Sequence, residues 1–167
     1  IRKTVTSYDD VDQTYVITDG YLAPATYLST IQEDNNVFIQ VYQGTTLDIY
    51  IRKFNGTKWE TPIYVGNNPL TTDGHGQPAM CKDADGYYHI FYGSHDTSIQ
   101  YARSTNPNSI SSWTNKTTSL GKSGTYPMPF YNSVKDELIL FYRSGSSSDY
   151  DTEFTTSTNG GDTWASS

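Results

Sequence analysis

Short runs of β-branched and aromatic residues, separated by polar turn sequences, return about every 50 residues along the chain. Three of them read Val37-Phe-Ile-Gln-Val-Tyr-Gln43, Tyr87-Tyr-His-Ile-Phe-Tyr-Gly93 and Leu138-Ile-Leu-Phe-Tyr-Arg143, and Tyr42, Tyr92 and Tyr142 are spaced 50 apart. Each run is followed by a second strand-like run and then by a tryptophan, Trp59, Trp113 or Trp164. A repeat of this length made of short strands predicts an all-β fold of the β-propeller type, in which equivalent loops of neighbouring blades surround one central depression.

Each repeat reads as four strands, A to D. In the second, strand A covers about 76–82, Asp83-Ala-Asp-Gly86 is the turn, strand B covers 87–93, strand C covers 98–104, and a polar loop leads to Trp113 and strand D. The first repeat places strand A at 24–31, a turn at 33–36, strand C at 47–54 and Trp59. The third places strand A at 127–131, a turn near 134–136, strand C at 150–156 and Trp164. The blades therefore span about 20–66, 67–120 and 121–167, and residues 1–19 read as the end of a preceding blade. Closed propellers have about four to eight blades, and an open stack exposes sheet faces and edges. Completion by the missing blades of a longer chain, or by a homo-oligomer, is expected.

Composition narrows the partners. Charged residues make up 17% of the chain and Tyr alone contributes 15 residues, a balance that favours strands and turns over helices. No apolar run approaches the roughly 20 residues that cross a membrane, so no membrane partner is expected. A net charge of -7 argues against nucleic acid, whose binders carry a basic patch. It opposes an acidic substrate only mildly, because a local cluster of His and Arg overrides the global field. Cys81 is the only cysteine, which excludes an intrachain disulfide. The sequence does not start with Met and shows no signal peptide, so it reads as a mature form or a piece of a longer protein.

Two positions recur in register at one end of the strands. Just before strand A stand His75, in Asp73-Gly-His-Gly-Gln-Pro78, and Tyr126, in Gly124-Thr-Tyr-Pro127; at the end of strand B stand His95 and Arg143. In a propeller the loop entering strand A and the B–C loop open on the same face, and strand A is innermost. Strand order alone therefore predicts that these four side chains rim one cleft across two adjacent blades. Each has a plain alternative: His75 caps a turn, His95 pairs with Asp96, Tyr126 packs beside Pro127, and Arg143 pairs with Asp149 or Glu153. His89, inside strand B, reads as a packing residue, and Arg103 as a structural one.

The set favours one chemistry over others. Glycoside hydrolysis uses two carboxyl groups, and no convincing pair is expected on this face. Zinc needs three or four ligands, and two histidines are a weak case. Acyl transfer needs an activated Ser or Cys, and Cys81 is expected at the opposite end. β-Elimination beside a uronate carboxylate fits better: a cation neutralises the carboxylate, a base takes the proton and an acid protonates the leaving oxygen. Imidazoles titrate near neutrality. A tyrosine starting near pKa ~10 needs about 3 units of help, roughly 4 kcal/mol, to act as a base at pH 7.

Asp-Gly-His-Gly-Gln-Pro-Ala-Met, Asp-Gly-Tyr-Tyr-His-Ile-Phe-Tyr-Gly-Ser-His, Gly-Thr-Tyr-Pro-Met-Pro and Leu-Phe-Tyr-Arg-Ser-Gly resemble the BNR-repeat family, which includes the seven-bladed ulvan lyases of polysaccharide lyase families 24 and 25. The resemblance covers about residues 20–164. It implies about three four-stranded blades of a seven-bladed propeller and a secreted or periplasmic lyase that cleaves an acidic, uronate-containing polysaccharide. It also implies that His75 acts as base or helps neutralise the carboxylate, that His95 is the second active-site histidine, that Tyr126 donates or shuttles the proton, and that Arg143 neutralises the uronate. Whether His75 or Tyr126 is the base stays open.

Three rival readings stand beside this one. An aromatic cleft also suits a carbohydrate-binding propeller without catalysis. Ser157-Thr-Asn-Gly-Gly-Asp-Thr-Trp164 is similar to the Asp-box of sialidase-type propellers, with Asn159 in the Asp place, but a sialidase clamps its substrate with three arginines and Arg is scarce here. The third is a structural piece of a larger multidomain protein. No cofactor is expected; a structural Ca²⁺ is compatible with the chain, although no EF-hand loop is present.

Overall fold

The structure is a computed structural model of the 167-residue chain, and it describes residues 3–9, 14–20, 29–44, 46–146 and 149–166. Strands β1 (Lys3–Asp9) and β2 (Thr14–Gly20) form an antiparallel pair ahead of the first repeat. The first blade is β3 (Ser29–Asp34), β4 (Val37–Gln43), β5 (Ile49–Phe54) and β6 (Ile63–Gly66), paired in that order. The part of the expected first strand at 24–28 lies outside the described residues.

The second blade is β7 (Ala79–Lys82), β8 (Tyr88–Tyr92), β10 (Gln100–Ser104) and β11 (Trp113–Asn115), again in chain order from the inner strand outward. Between β8 and β10 runs the two-residue β9 (Thr97–Ser98), and a single helical turn, α1 (Thr117–Leu120), leads to the third blade. That blade is β12 (Ser123–Asn132), β13 (Glu137–Ser146) and β14 (Asp149–Ser157). All three sheets are antiparallel and four-stranded, as the repeat predicts.

Two expectations about the outer strands are corrected. Trp59 does not start strand D of the first blade. It makes one isolated bridge with Phe54, and the fourth strand comes later, at Ile63–Gly66. The Trp59 ring lies against Phe54 and under the Arg52 guanidinium, so it covers the strand edge instead of extending the ladder. In the third blade the fourth strand is β9, borrowed from the preceding repeat and paired with the inner edge of β12 through Ser123–Ser98 and Gly124–Thr97. The B–C loop of blade two is thereby stitched to strand A of blade three.

The cores lie between the blades. Ile39, Val41, Ile49 and Ile51 of the first sheet pack against Met80, Tyr88, Ile90 and Tyr92 of the second. Phe91, Ile99 and Tyr101 of the second pack against Leu140 and Tyr142 of the third. Every residue of β8 is buried because its alternate side chains serve opposite cores, which explains why the run is apolar apart from His89. Trp164 closes the second core edge-on to Phe91 and Tyr101, each at 5.7 Å. It reaches them through the turn at 157–163, where Asn159 Oδ1 accepts from the Thr163 N–H and Ser157 Oγ from the Gly161 N–H. Gly161 is required there: its φ is +82° and an added Cβ would lie 1.9 Å from the Tyr101 hydroxyl.

Candidate active site

At the strand-A-entry end of blades two and three, the structure brings together all four side chains that strand order predicted. The His75 and His95 rings stack with centroids 4.0 Å apart and planes inclined by 22°. The Tyr126 ring lies 5.8 Å from His75, and the Arg143 guanidinium sits 5.1 Å from the Tyr126 ring centre and 4.0 Å over Tyr150. The four groups therefore form one continuous chain of contacts, partly open to solvent.

The backbone that presents them is unusual at two positions. Tyr126 interrupts β12, where the register to β13 shifts between Thr125 and Met128, and its φ is +55° just before Pro127. A left-handed tyrosine is rare and costs about 1–3 kcal/mol, and such residues gather at functional sites. Asp96, in the loop beside His95, is left-handed too, with φ +54°. Gly124 lets the bulge close, because a Cβ there would lie 2.6 Å from both the Arg143 carbonyl oxygen and the Tyr142 ring. Main-chain pairing of Gly93 N–H with the Gly76 carbonyl, at 3.0 Å, draws the two histidine loops of blade two together.

Two carboxylates hold the cluster, and neither stood out in the sequence. Asp73 bridges both imidazoles: Oδ1 meets His75 Nδ1 and accepts from the His75 main-chain N–H at 2.9 Å, and Oδ2 meets His95 Nδ1 at 2.5 Å. Desolvation alone would raise the Asp73 carboxyl, but hydrogen bonds from the His75 backbone and ring and from the His95 ring override it and hold the group at about 2. Asp96 accepts from Arg143 Nη2 at 3.0 Å, and Thr125 Oγ1 joins the same group, donating to Asp96 at 2.8 Å and accepting from Arg143 at 3.0 Å. The Thr125 hydroxyl first, and then Arg143, keep the Asp96 carboxyl below its ordinary range.

These partners correct three expectations. His95 pairs with Asp73 and not with its neighbour Asp96. Arg143 pairs with Asp96, whose loop faces it across the blade boundary, in place of the expected Asp149 or Glu153. Two carboxylates do stand on this face after all. Both are held ionised by donors, however, so neither is available as the protonated acid that glycoside hydrolysis needs.

Asp73, His75 and His95 also offer three ligand atoms within 4.8 Å of one another. Two ligands of one tetrahedral zinc at about 2.0–2.1 Å would stand roughly 3.3 Å apart. The Asp73–His95 contact, at 2.5 Å, is far closer than that spacing and closer than an ordinary N–H···O hydrogen bond.

His89 and Arg103 lie in structural contacts, and His89, read as a packing residue, is held by hydrogen bonds at both ring nitrogens. His89 is wholly buried, with Nδ1 bonded to the Tyr101 hydroxyl at 2.7 Å and Nε2 to Asp83 at 2.9 Å. Arg103 donates to the Gly160 carbonyl and to Asp162, which ties the second blade to the terminal turn. Cys81 is buried in β7, away from the cleft, and burial raises its thiol far above the reactive range. Among the described residues no helix is long and apolar enough to cross a membrane.

Known proteins share this arrangement of repeats. The sequence profile described as "BNR repeat-containing family member" matches residues 25–167. The ulvan lyase PL25 of Pseudoalteromonas sp. (strain PLSV) is 30% identical over 135 residues, a match covering 66% of this chain and 27% of that protein. An ulvan lyase of Nonlabens ulvanivorans is 26% identical over 136 residues, covering 66% of this chain and 28% of that protein. A solved PL25 ulvan lyase bound to -[GlcA(1-4)Rha3S]- superposes with a TM-score of 0.76 at 26% identity, covering 98% of this chain and 39% of that one. The chain thus spans between about a quarter and two fifths of the length of these relatives.

Proposed function

The chain belongs to the BNR repeat-containing family, and on that premise we propose that its cleft cleaves a uronate-containing, ulvan-like polysaccharide by β-elimination, as a polysaccharide lyase. The observation that carries the reading is the convergence of His75, His95, Tyr126 and Arg143 in one partly open cleft. The PL25 relatives supply the substrate class.

The chemistry follows from what each group can do. Arg143 faces the uronate carboxylate and stabilises the negative charge that spreads onto it when C5 loses its proton. A base takes that proton. The electron pair of the C5–H bond forms the C4=C5 double bond, the C4–O bond breaks, and the departing oxygen receives a proton from an acid. The histidine pair and Tyr126 divide these two proton transfers, each worth about 10²–10⁴ in rate when well placed. Binding as in a non-catalytic propeller would leave no double bond behind.

Support for further blades comes from the outer face of the third sheet, where Met128, Phe130, Phe141 and Phe154 are exposed. The corresponding faces of the first two sheets are buried against the next blade. A further sheet of a longer chain is the occupant that matches this pattern, and a secreted or periplasmic location suits a polymeric substrate.

The test is ultraviolet absorbance of the chain mixed with ulvan and, separately, with other uronate polymers. A rise from the new conjugated double bond is the expected result with ulvan. If neither this chain nor one extended to a full ring of blades produces a rise, the lyase reading fails.

A further inference from the structure

We propose that Asp73 is a positioning residue that locks both cleft histidines in the tautomer protonated at Nδ1, leaving both Nε2 atoms free to accept a proton. The inference rests on the lyase reading for its kinetic consequence, but its structural content stands apart from it.

An ionised carboxylate only accepts hydrogen bonds. Asp73 meets His75 Nδ1 through Oδ1 and His95 Nδ1 through Oδ2, so a hydrogen must sit on each Nδ1. In a neutral imidazole the other nitrogen is then a lone-pair acceptor. Neither Nε2 makes a hydrogen bond within the described residues, whereas both nitrogens of His89 are occupied. The rings are fixed as well as protonated in a set way. They stack at 4.0 Å, and the His75 main-chain N–H donates to the same Asp73 oxygen that meets its ring. One side chain in the loop entering strand A therefore orients two imidazoles carried on different loops, which is how an orienting carboxylate serves an acid–base catalyst.

The substitution Asp73→Asn separates this role from a purely structural one. The amide keeps an oxygen for the His75 backbone N–H and turns an NH₂ donor towards His95. His95 Nδ1 must then accept, and its proton must move to Nε2. Histidine ¹⁵N–¹H correlation spectra of the full chain, recorded above the titration range of imidazole, read this directly. The wild type is expected to show protonated Nδ1 and unprotonated Nε2 on both His75 and His95, and the variant to show His95 protonated at Nε2. With ulvan, the variant's kcat is expected to fall by about 10²–10⁴, on the scale of the loss when an orienting Asp becomes Asn, with KM changed less than about threefold.

Either ring protonated at Nε2 in the wild type would overturn the proposal, and that spectrum needs no variant to fold. A folded Asp73→Asn chain that keeps the wild-type tautomers, or keeps kcat within about threefold of an active wild type, would overturn it too. A wild type with both predicted tautomers but no absorbance change on ulvan, from this chain and from one extended to a full ring of blades, supports the lock while removing the lyase reading.

Discussion

Blade two carries two Asp–His clusters, one at each end of strand β8, and they differ in what is left over. At one end, His89 is wholly buried, with Asp83 on Nε2 and the Tyr101 hydroxyl on Nδ1. Both ring nitrogens are used, and burial lowers the histidine's tendency to take up a second proton, against the pull of Asp83. At the other end, Asp73 binds the Nδ1 atoms of His75 and His95, both rings are partly exposed, and neither Nε2 is bonded within the described residues. The same residue types build a rigid joint where every ring nitrogen is bonded, and a cleft cluster where one nitrogen per ring is open.

Substitutions sharpen this contrast. The largest effect is expected from Tyr126→Phe, which removes only a hydroxyl from the open end. Turnover should drop by about 10²–10⁴ while ulvan still binds, read as kcat by absorbance and Kd by calorimetry. Equal activity would remove Tyr126 from the proton transfers. Arg143→Gln comes next. Losing a charged donor worth about 1.5–3 kcal/mol should cut kcat/KM roughly ten- to hundredfold, and an unchanged value would place carboxylate recognition elsewhere.

At the closed end the readout changes from rate to stability. His89→Phe keeps a ring but takes the Nε2 donor from the partly buried Asp83 carboxylate, which keeps the Tyr87 main-chain N–H, and about 1–3 kcal/mol of stability should be lost, visible as a lower midpoint in denaturant. A midpoint within experimental scatter of the wild type would show that the Asp83–His89 pair is not a joint.

The smallest expected effect is the pH dependence of Asp73. Its folded-state value, about 2, lies below the ordinary 3.8. The ionised carboxylate therefore stabilises the folded chain above about pH 4, and that contribution disappears as pH falls towards 2. The difference in melting temperature between wild type and Asp73→Asn should narrow over that window. A difference that stays constant down to pH 2 would contradict the bridging role.

Much of this is legible in the chain itself. The tyrosines 50 apart mark strand B of each blade, a central, mostly apolar strand that in the second blade is buried along its whole length. His75, His95, Tyr126 and Arg143 were found because they hold equivalent ends of equivalent strands, a relation that repeats expose. Asp73 and Asp96 were missed because their partners are set by loop closure. Asp73 reaches a ring 22 residues away and Asp96 a guanidinium 47 residues away. One local signal existed: an Asp two residues before a His is poised to accept that residue's N–H in an Asx turn. The borrowed strand β9 and the displaced fourth strand of the first blade were also beyond reach, since strands of two and four residues carry almost no sequence pattern.

The most direct test of the account compares the two ends of the blade in one experiment. The initial rate of double-bond formation on ulvan, per folded molecule, is measured for the wild type, for the pair His75→Ala and His95→Ala together, and for His89→Phe, at a temperature where all three are folded. The account predicts a fall of about 10³ or more for the cleft pair, and a rate within about threefold of wild type for His89→Phe. Comparable losses in both, or a loss confined to His89→Phe, would contradict it.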